Sequence, residues 1–219
     1  MPKITSKCVI MLRKYQGKIN LDAGCGQGSY LSLFDKFVVG LDVSKVELVK
    51  SKKTIRPNVE YVIGSIRSLP FRDYVFNYSQ CLEAIEHLCD EDATHALHEL
   101  ERVTDGSIQV STPNVNIVQE CIREILFPRS FFDKNPMAHM AVSSPHRHRS
   151  LWTVKKLGIN GFKVNGCLGW VTQQRIGSKK ICSLYDFFFW YLPSLAGTLI
   201  GLRFVSNSKT EVYNKCEQK

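Results

Sequence analysis

No Cys-x-x-Cys pair occurs among the eight cysteines of this 219-residue chain, which excludes zinc knuckles and thioredoxin-type redox motifs. The cysteines (8, 25, 81, 89, 121, 167, 182 and 216) are scattered, and the opening residues, MPKITSKCVIMLRKYQGK, contain no apolar core of signal-peptide type. A reducing, cytoplasmic setting is expected. No internal repeat and no low-complexity linker is found, so one domain over 1–219 is expected. Long uncharged runs are lacking too. Residues 187–202, FFFWYLPSLAGTLIGL, are interrupted by Pro193 and Gly197 and fall short of the roughly 20 residues of a spanning helix. No transmembrane segment is expected there, and a buried helix followed by a buried strand is. What is present is a hydrophobic fraction of 44% with 22% charged residues, enough for a sizeable core and unlike a disordered, collagen-like or disulfide-stapled chain. The 29 Lys and Arg against 20 Asp and Glu give a formal charge of +9. That leaves a phosphate-rich or membrane-surface partner open without requiring one.

Apolar runs alternate with amphipathic segments. KINLD (18–22), FVVGLD (37–42), VEYVIG (59–64), YVFNYSQC (74–81) and GSIQVSTP (106–113) read as strands, with SYLSLF, VELVKSKK and EDATHALHELERV (91–103) as helices between them. Ser44 is placed to cap the second helix. In the third, Ala93, Ala96, Leu97, Leu100 and Val103 recur at helical spacing. Strands without polar alternation, separated by helices, predict a doubly wound parallel α/β sheet covered on both faces. Past Pro113 the segment 114–150 holds helix-like NIVQECIREILF and a stretch rich in Pro, His and Arg, an insertion of lid-like size. LWTVKKLG (151–158) then reads as a helix, and GFKVNGCLGW (161–170) and LIGLRFVS (199–206) as strands.

The run LDAGCGQGSY (21–30) carries the most chemistry. Gly24, Gly26 and Gly28 follow a strand ending in Asp22, and they permit a tight turn and close approach of a ligand to the backbone. The helix expected after the turn would add unpaired N–H groups. Asp42, ending the next strand, is placed to accept hydrogen bonds from two ribose hydroxyls. A dinucleotide fingerprint needs G-x-G-x-x-G, whereas here Ser29 holds the third glycine position. A carboxylate at Asp22 would repel a pyrophosphate but suits a cationic amino group. S-adenosylmethionine has that group and a ribose and no phosphate, so it is favoured over NAD.

LDAGCGQGSY, the Asp42 strand end, GSIRSLPF (64–71), FNYSQCLEAIEHL (76–88) and STPN (111–114) together resemble the class I S-adenosylmethionine-dependent methyltransferases, nearest the type 11 subgroup of small-molecule and quinone-biosynthesis enzymes. The resemblance spans about residues 15–165. It implies a Rossmann-like sheet of seven strands in the order 3-2-1-4-5-7-6, strand 7 antiparallel, with FKVNGCLGW and LIGLRFVS as strands 6 and 7. Residue by residue, it implies that Asp22 reaches the methionine amino group, in part through water, that Gly24 and Gly26 underlie the methionine and ribose, and that Gly28 belongs to the same cofactor-binding turn. Asp42 would bind the ribose hydroxyls, and Val43 would pack on the adenine. Ser65 and Ile66 fall at the adenine edge, Ser65 replacing a usual acidic residue. Cys81 and Glu83 would lie near the methionine moiety and the methyl group, and Asn77 replaces a common Asp.

Methyl transfer from a sulfonium needs alignment and exclusion of water, and a general base only where the acceptor arrives protonated. The candidate bases or orienting groups are Glu83, Glu86 and His87. On the acceptor side the candidates are His139, His146, His148 and Trp152, with Arg147 and Arg149 able to pair an acidic group. No metal site is expected. The expected reaction is transfer to a small-molecule acceptor, leaving S-adenosylhomocysteine, by a monomer or homodimer. Two alternatives stay open. One is an RNA or protein methyltransferase using the basic clusters Lys3, Lys7, Arg13, Lys14, Lys18 and Lys45, Lys50, Lys52, Lys53, Arg56. The other is a non-catalytic adenosylmethionine-binding module.

Overall fold

The computed structural model describes residues 14–52, 57–114, 149–167, 187–188, 191–196 and 198–205. Strands β1 (Ile19–Ala23), β2 (Phe37–Asp42), β3 (Val59–Ile63), β4 (Phe76–Leu82) and β5 (Thr104–Pro113) pair in parallel. β7 (Thr198–Val205) runs antiparallel between β5 and β6 (Lys163–Cys167). The seven strands form one sheet, ordered β3-β2-β1-β4-β5-β7-β6, as the resemblance implied.

Apolar side chains leave both faces of the sheet, which is why the strands read without alternation. On one face Leu21, Leu41, Ile108, Val110 and Leu199 pack against α2 (Asp90–Val103) and α3 (Val154–Ile159), through Leu97, Leu100 and Leu157. On the other, Val38, Val59 and Tyr78 meet Leu31 and Leu48, the latter from α1 (Lys45–Ser51). The buried stripe of α2 is Ala93, Ala96, Leu97, Leu100 and Val103, as its periodicity predicts, and each buried Leu contributes roughly 2 kcal/mol. Asp90, Glu91 and Asp92 in its first turn suit the positive end of the helix dipole. Ser44 caps α1 by accepting the Glu47 N–H at 3.4 Å.

Three local expectations need correction. SYLSLF forms no α-helix, only a 3-10 turn at Leu31–Leu33. The glycine turn consumes the connection up to Tyr30, and β2 already starts at Phe37, which leaves too little chain for a longer helix. α3 starts at Val154 rather than Leu151, because the Thr153 hydroxyl accepts the Lys156 N–H and fixes the start there. The 187–202 stretch is buried only in its second half. Leu199, Ile200 and Leu202 are covered in β7, whereas Phe187, Phe188, Tyr191 and Leu192 are exposed. No helix among the described residues is long and apolar enough to cross a membrane. NIVQECIREILF and nearly all of the proposed insertion lie outside the described residues.

Two polar anchors fix connections around the sheet. Arg102 uses every guanidinium nitrogen to tie the segment after β3 to α2. Nε donates to Glu99 at 2.7 Å, Nη1 to Asp73 at 2.7 Å and the Phe71 carbonyl at 2.9 Å, and Nη2 to Glu99 at 2.8 Å and the Leu69 carbonyl at 3.0 Å. Asn114, just past β5, donates from Nδ2 to the carbonyls of Pro193, Ser194 and Ala196 at 3.1, 3.2 and 2.8 Å. It also forms a parallel bridge with Trp152. Both anchors replace water around backbone carbonyls that burial would otherwise strand.

Candidate cofactor and acceptor site

The carboxyl ends of β2, β1, β4 and β5 lie side by side, and the glycine turn leaves β1 at this edge. Gly24, Gly26 and Gly28 have φ of 78°, 50° and 75°, the left-handed region that favours glycine. Their surroundings separate their roles. A Cβ on Gly24 would lie 2.8 Å from the Ala84 Cβ, and one on Gly28 only 2.1 Å from Ser51 Oγ, whereas one on Gly26 would meet nothing within 4 Å. Gly24 and Gly28 therefore admit protein neighbours, and Gly26 leaves open space above the backbone. The turn is closed by Gly24 and Cys25 N–H groups donating to the Leu41 carbonyl at 2.7 and 3.0 Å.

Asp42 is locked across this turn. Its Oδ2 accepts the Gly26 N–H and its Oδ1 the Ser44 N–H, both at 2.8 Å. Those bonds fix the rotamer and leave lone pairs on both oxygens, the arrangement a pair of ribose hydroxyls requires. Val43, next in the chain, is 74% exposed. Ser65 folds back on its own loop, accepting the Arg67 N–H at 3.2 Å, and Ile66 packs at the margin of the main core.

Asp22 is 1% exposed, and its Oδ2 has no hydrogen-bond partner. Burial raises its pKa from 3.8 to about 7, against the side chain of Gln80 and with a further push from the Asp42 charge. Cys81, on β4, is fully buried in the core, and its thiol is held far above its ordinary range by burial and then by the Glu86, Asp22 and Glu83 charges. Those three carboxyls thus converge on one place.

Glu83 follows β4 with φ 53°, an uncommon conformation for a residue with a Cβ. Ser111 of β5 holds it there. The Glu83 N–H meets the Ser111 carbonyl at 3.0 Å and its hydroxyl at 3.2 Å, and the hydroxyl donates back to Glu83 Oε1 at 2.7 Å. Glu86 lies in the 3-10 turn Ile85–His87 with 2% exposure. Burial and then the Glu83 charge push it well above the usual carboxylate range, opposed by its own backbone and by the Thr112 side chain. The His87 N–H closes this turn on the Ala84 carbonyl at 3.2 Å.

The structure therefore brings together Asp22, Gly24, Gly26, Gly28, Asp42, Val43, Cys81, Glu83 and His87 along one edge. His139, His146 and His148 lie outside the described residues. Trp152 is fully buried, donating from Nε1 to Ser150 Oγ at 2.9 Å, with Lys156 Nζ 4.4 Å from its ring centroid. Its ring packs in the core and exposes no surface to a substrate. Ser111 and Thr112 stand in the STPN run, yet no spacing in the chain links them to Glu83 and Glu86, because that pairing crosses from β4 to β5. In the basic clusters, Lys50 pairs with Glu47 at 2.6 Å and Lys52 stands 5.5 Å from the Tyr61 ring centroid.

A sheet of this order with an antiparallel last strand, a glycine turn after β1 and carboxylates ending β1 and β2 define a class I methyltransferase fold. Residues 21–108 match the family described as a methyltransferase domain. An uncharacterized methyltransferase of Schizosaccharomyces pombe is 30% identical over 132 residues, covering 52% of this chain and 47% of that protein. An uncharacterized protein of Methanocaldococcus jannaschii is 26% identical over 159 residues, covering 71% of this chain and 60% of its own length. This chain thus spans roughly half the length of the curated relatives it matches. Among solved structures, the magnesium protoporphyrin IX methyltransferase of Synechocystis PCC 6803, with bound SAH, shares the fold. Its TM-score is 0.58 at 17% identity, over 91% of this chain and 81% of that one.

Proposed function

We propose that this domain binds S-adenosylmethionine and transfers its methyl group to a small-molecule acceptor. The observation that carries the reading is Asp22, a buried carboxyl with an unpartnered oxygen beside an open glycine turn. An unpartnered buried oxygen costs about 1–3 kcal/mol, more when charged, and an ammonium group removes that cost. A pyrophosphate at the same place would worsen it. When bound, adenosylmethionine supplies an electrophilic methyl group on a sulfonium. Asp22 holds the amino group, in part through water, Gly26 gives the backbone clearance, and Asp42 accepts the ribose hydroxyls. Val43 and Ile66 offer apolar surfaces for the adenine, with Ser65 beside them. Glu83, set by Ser111, and His87 border the methionine end and orient the groups that meet there. The resemblance to small-molecule enzymes supports a small acceptor over a nucleic acid.

Isothermal titration with adenosylmethionine, adenosylhomocysteine and NAD tests this reading. Binding of the first two near micromolar strength, on the order of −8 kcal/mol, and none of NAD is the expected result. A response to NAD alone overturns the assignment of Asp22.

A further inference from the structure

Behind Asp22 the sheet carries a buried polar row that reaches two strands away from the cofactor turn. Asp22 on β1 stands opposite Gln80 on β4, and Gln80 stands opposite Gln109 on β5. Paired residues share a face, so the three side chains form one line across three strands. Tyr78, two residues before Gln80, projects from that same face. Tyr78, Gln80 and Gln109 are all fully buried. Tyr78 Oη donates to Gln109 Oε1 at 2.9 Å and to Gln80 Oε1 at 3.3 Å. A phenol has one proton, so the shorter contact takes the larger share of it. Gln80 Nε2 and Asp22 Oδ2 are a buried donor and a buried acceptor on adjoining strands, neither bonded elsewhere. Burial pushes the Asp22 pKa up, and the Gln80 side chain, as its hydrogen-bonding neighbour, pulls it back. On the same face the strands that do not adjoin Asp22 or Gln80 are apolar at Val59 on β3 and at Leu202, opposite Gln109, on β7. The polarity of the row thus follows the carboxyl and not the needs of the sheet.

We propose that Gln80 is a positioning residue of the cofactor site: its carboxamide, set by Tyr78 and Gln109, holds the Asp22 carboxyl in the ionised form and orientation that receive the amino group of adenosylmethionine. The inference rests on the cofactor reading of Asp22 and deepens it, since Gln80 acts through Asp22 and not on the reacting atoms. The neighbours of Asp22 explain why such a support is needed. The charged and titratable groups that face it are Asp42 from β2, Cys25 from the glycine turn and Cys81 from β4. Asp42 opposes a second negative charge, and burial keeps both thiols protonated. A neutral amide suits the place better than a Lys or Arg would. It donates a hydrogen bond to the carboxylate without cancelling the charge, so the ammonium group of the cofactor still finds an unpaired counter-ion.

The test measures adenosylhomocysteine affinity of the full chain from about pH 6 to about pH 8.5, with melting curves alongside. Gln80→Met keeps the length of the side chain and removes the amide. Without that donor the ionised Asp22 is less favoured, so the pH at which affinity falls should move upward by about one unit. Binding should then be about tenfold weaker than wild type at about pH 6 and nearly equal at about pH 8.5. In the Asp22→Asn background, Gln80→Met should change affinity by less than about twofold, because no charge is left to hold. Tyr78→Phe removes the hydroxyl that sets the carboxamide. It should give a smaller shift in the same direction, and it carries the test if Gln80→Met does not fold. A loss equal at every pH, no loss at all, or an undiminished loss on top of Asp22→Asn overturns the proposal, because a packing defect weakens binding without regard to the Asp22 charge. Wild-type protein that binds no adenosylhomocysteine is a separate result, which removes the cofactor reading and the role of Gln80 with it.

Discussion

Asp22→Asn is expected to raise stability and lower cofactor affinity together, both effects growing with pH. The carboxyl is 1% exposed with an unpartnered oxygen, and its pKa rises from 3.8 to about 7 on folding. The folded-state value lies above the unfolded one, so the unfolded chain gives up its proton first as pH rises. Stabilisation present below pH 3.8 is then lost progressively until about pH 7. A rise of this size corresponds to roughly 4 kcal/mol. Asn still buries a polar amide, so the recoverable part is smaller, about 1–3 kcal/mol above neutral pH. That is a gain in melting temperature on the order of 5 °C for a chain of this length. At about pH 4 the two proteins should melt together. Adenosylhomocysteine affinity should fall by about tenfold to a hundredfold above neutral pH, because the ammonium loses its counter-charge. Wild-type affinity should itself weaken as pH drops from about 8 to 6 and protonates Asp22, whereas the variant should show a flat profile. Calorimetric melting and titration at several pH values read all four quantities. A variant less stable than wild type above neutral pH, or one that binds adenosylhomocysteine equally well, refutes the role of Asp22.

Gly26→Ala should cost only about 1 kcal/mol of stability, since its Cβ meets nothing, yet reduce adenosylhomocysteine affinity more than about tenfold. Gly28→Ala should instead cost about 2–3 kcal/mol, because its Cβ would strike Ser51 Oγ, which is held by Tyr61 at 3.0 Å. Paired melting and titration experiments separate the two, and equal losses of affinity and stability in both variants refute the division of labour. Asn114→Ala should cost about 2 kcal/mol of stability, read as a lower urea midpoint, because three carbonyls of the 193–196 segment lose their donor. Arg102→Lys should cost about 1 kcal/mol and reduce amide-exchange protection across 64–75, because an ammonium cannot reproduce the fork that reaches Glu99, Asp73 and two carbonyls. Unchanged protection in that loop would contradict the anchoring role.

Much of this molecule was legible as local pattern. The apolar stripe of α2, the five parallel strands and the cap at Ser44 each depend on residues within one or two turns of chain, where spacing alone determines which face is apolar. The glycine turn and the carboxylates that end β1 and β2 were legible for the same reason, since each sits at a strand end that its own run marks. The 3-10 turn after the glycines was not, because the amphipathic look of SYLSLF says nothing about how much chain the turn consumes. Nor was the exposure of Phe187, Phe188 and Tyr191, since an apolar run does not say what covers it.

What only the tertiary structure decided are the contacts that cross between distant segments. Gly24, Gly26 and Gly28 are alike in sequence, and they differ in function because Ala84 and Ser51 crowd two of them and leave the third open. Glu83 and Ser111 meet because β4 lies beside β5, and Glu86 becomes a buried acid because the chain at Arg149 and Ser150 closes over its turn. The sequence by itself determined the elements and the chemistry each strand end carries, because backbone geometry makes periodicity and turn residues local properties. Burial and electrostatic environment are sums over neighbours from the whole chain, so the state of each carboxyl was decided only when the sheet assembled.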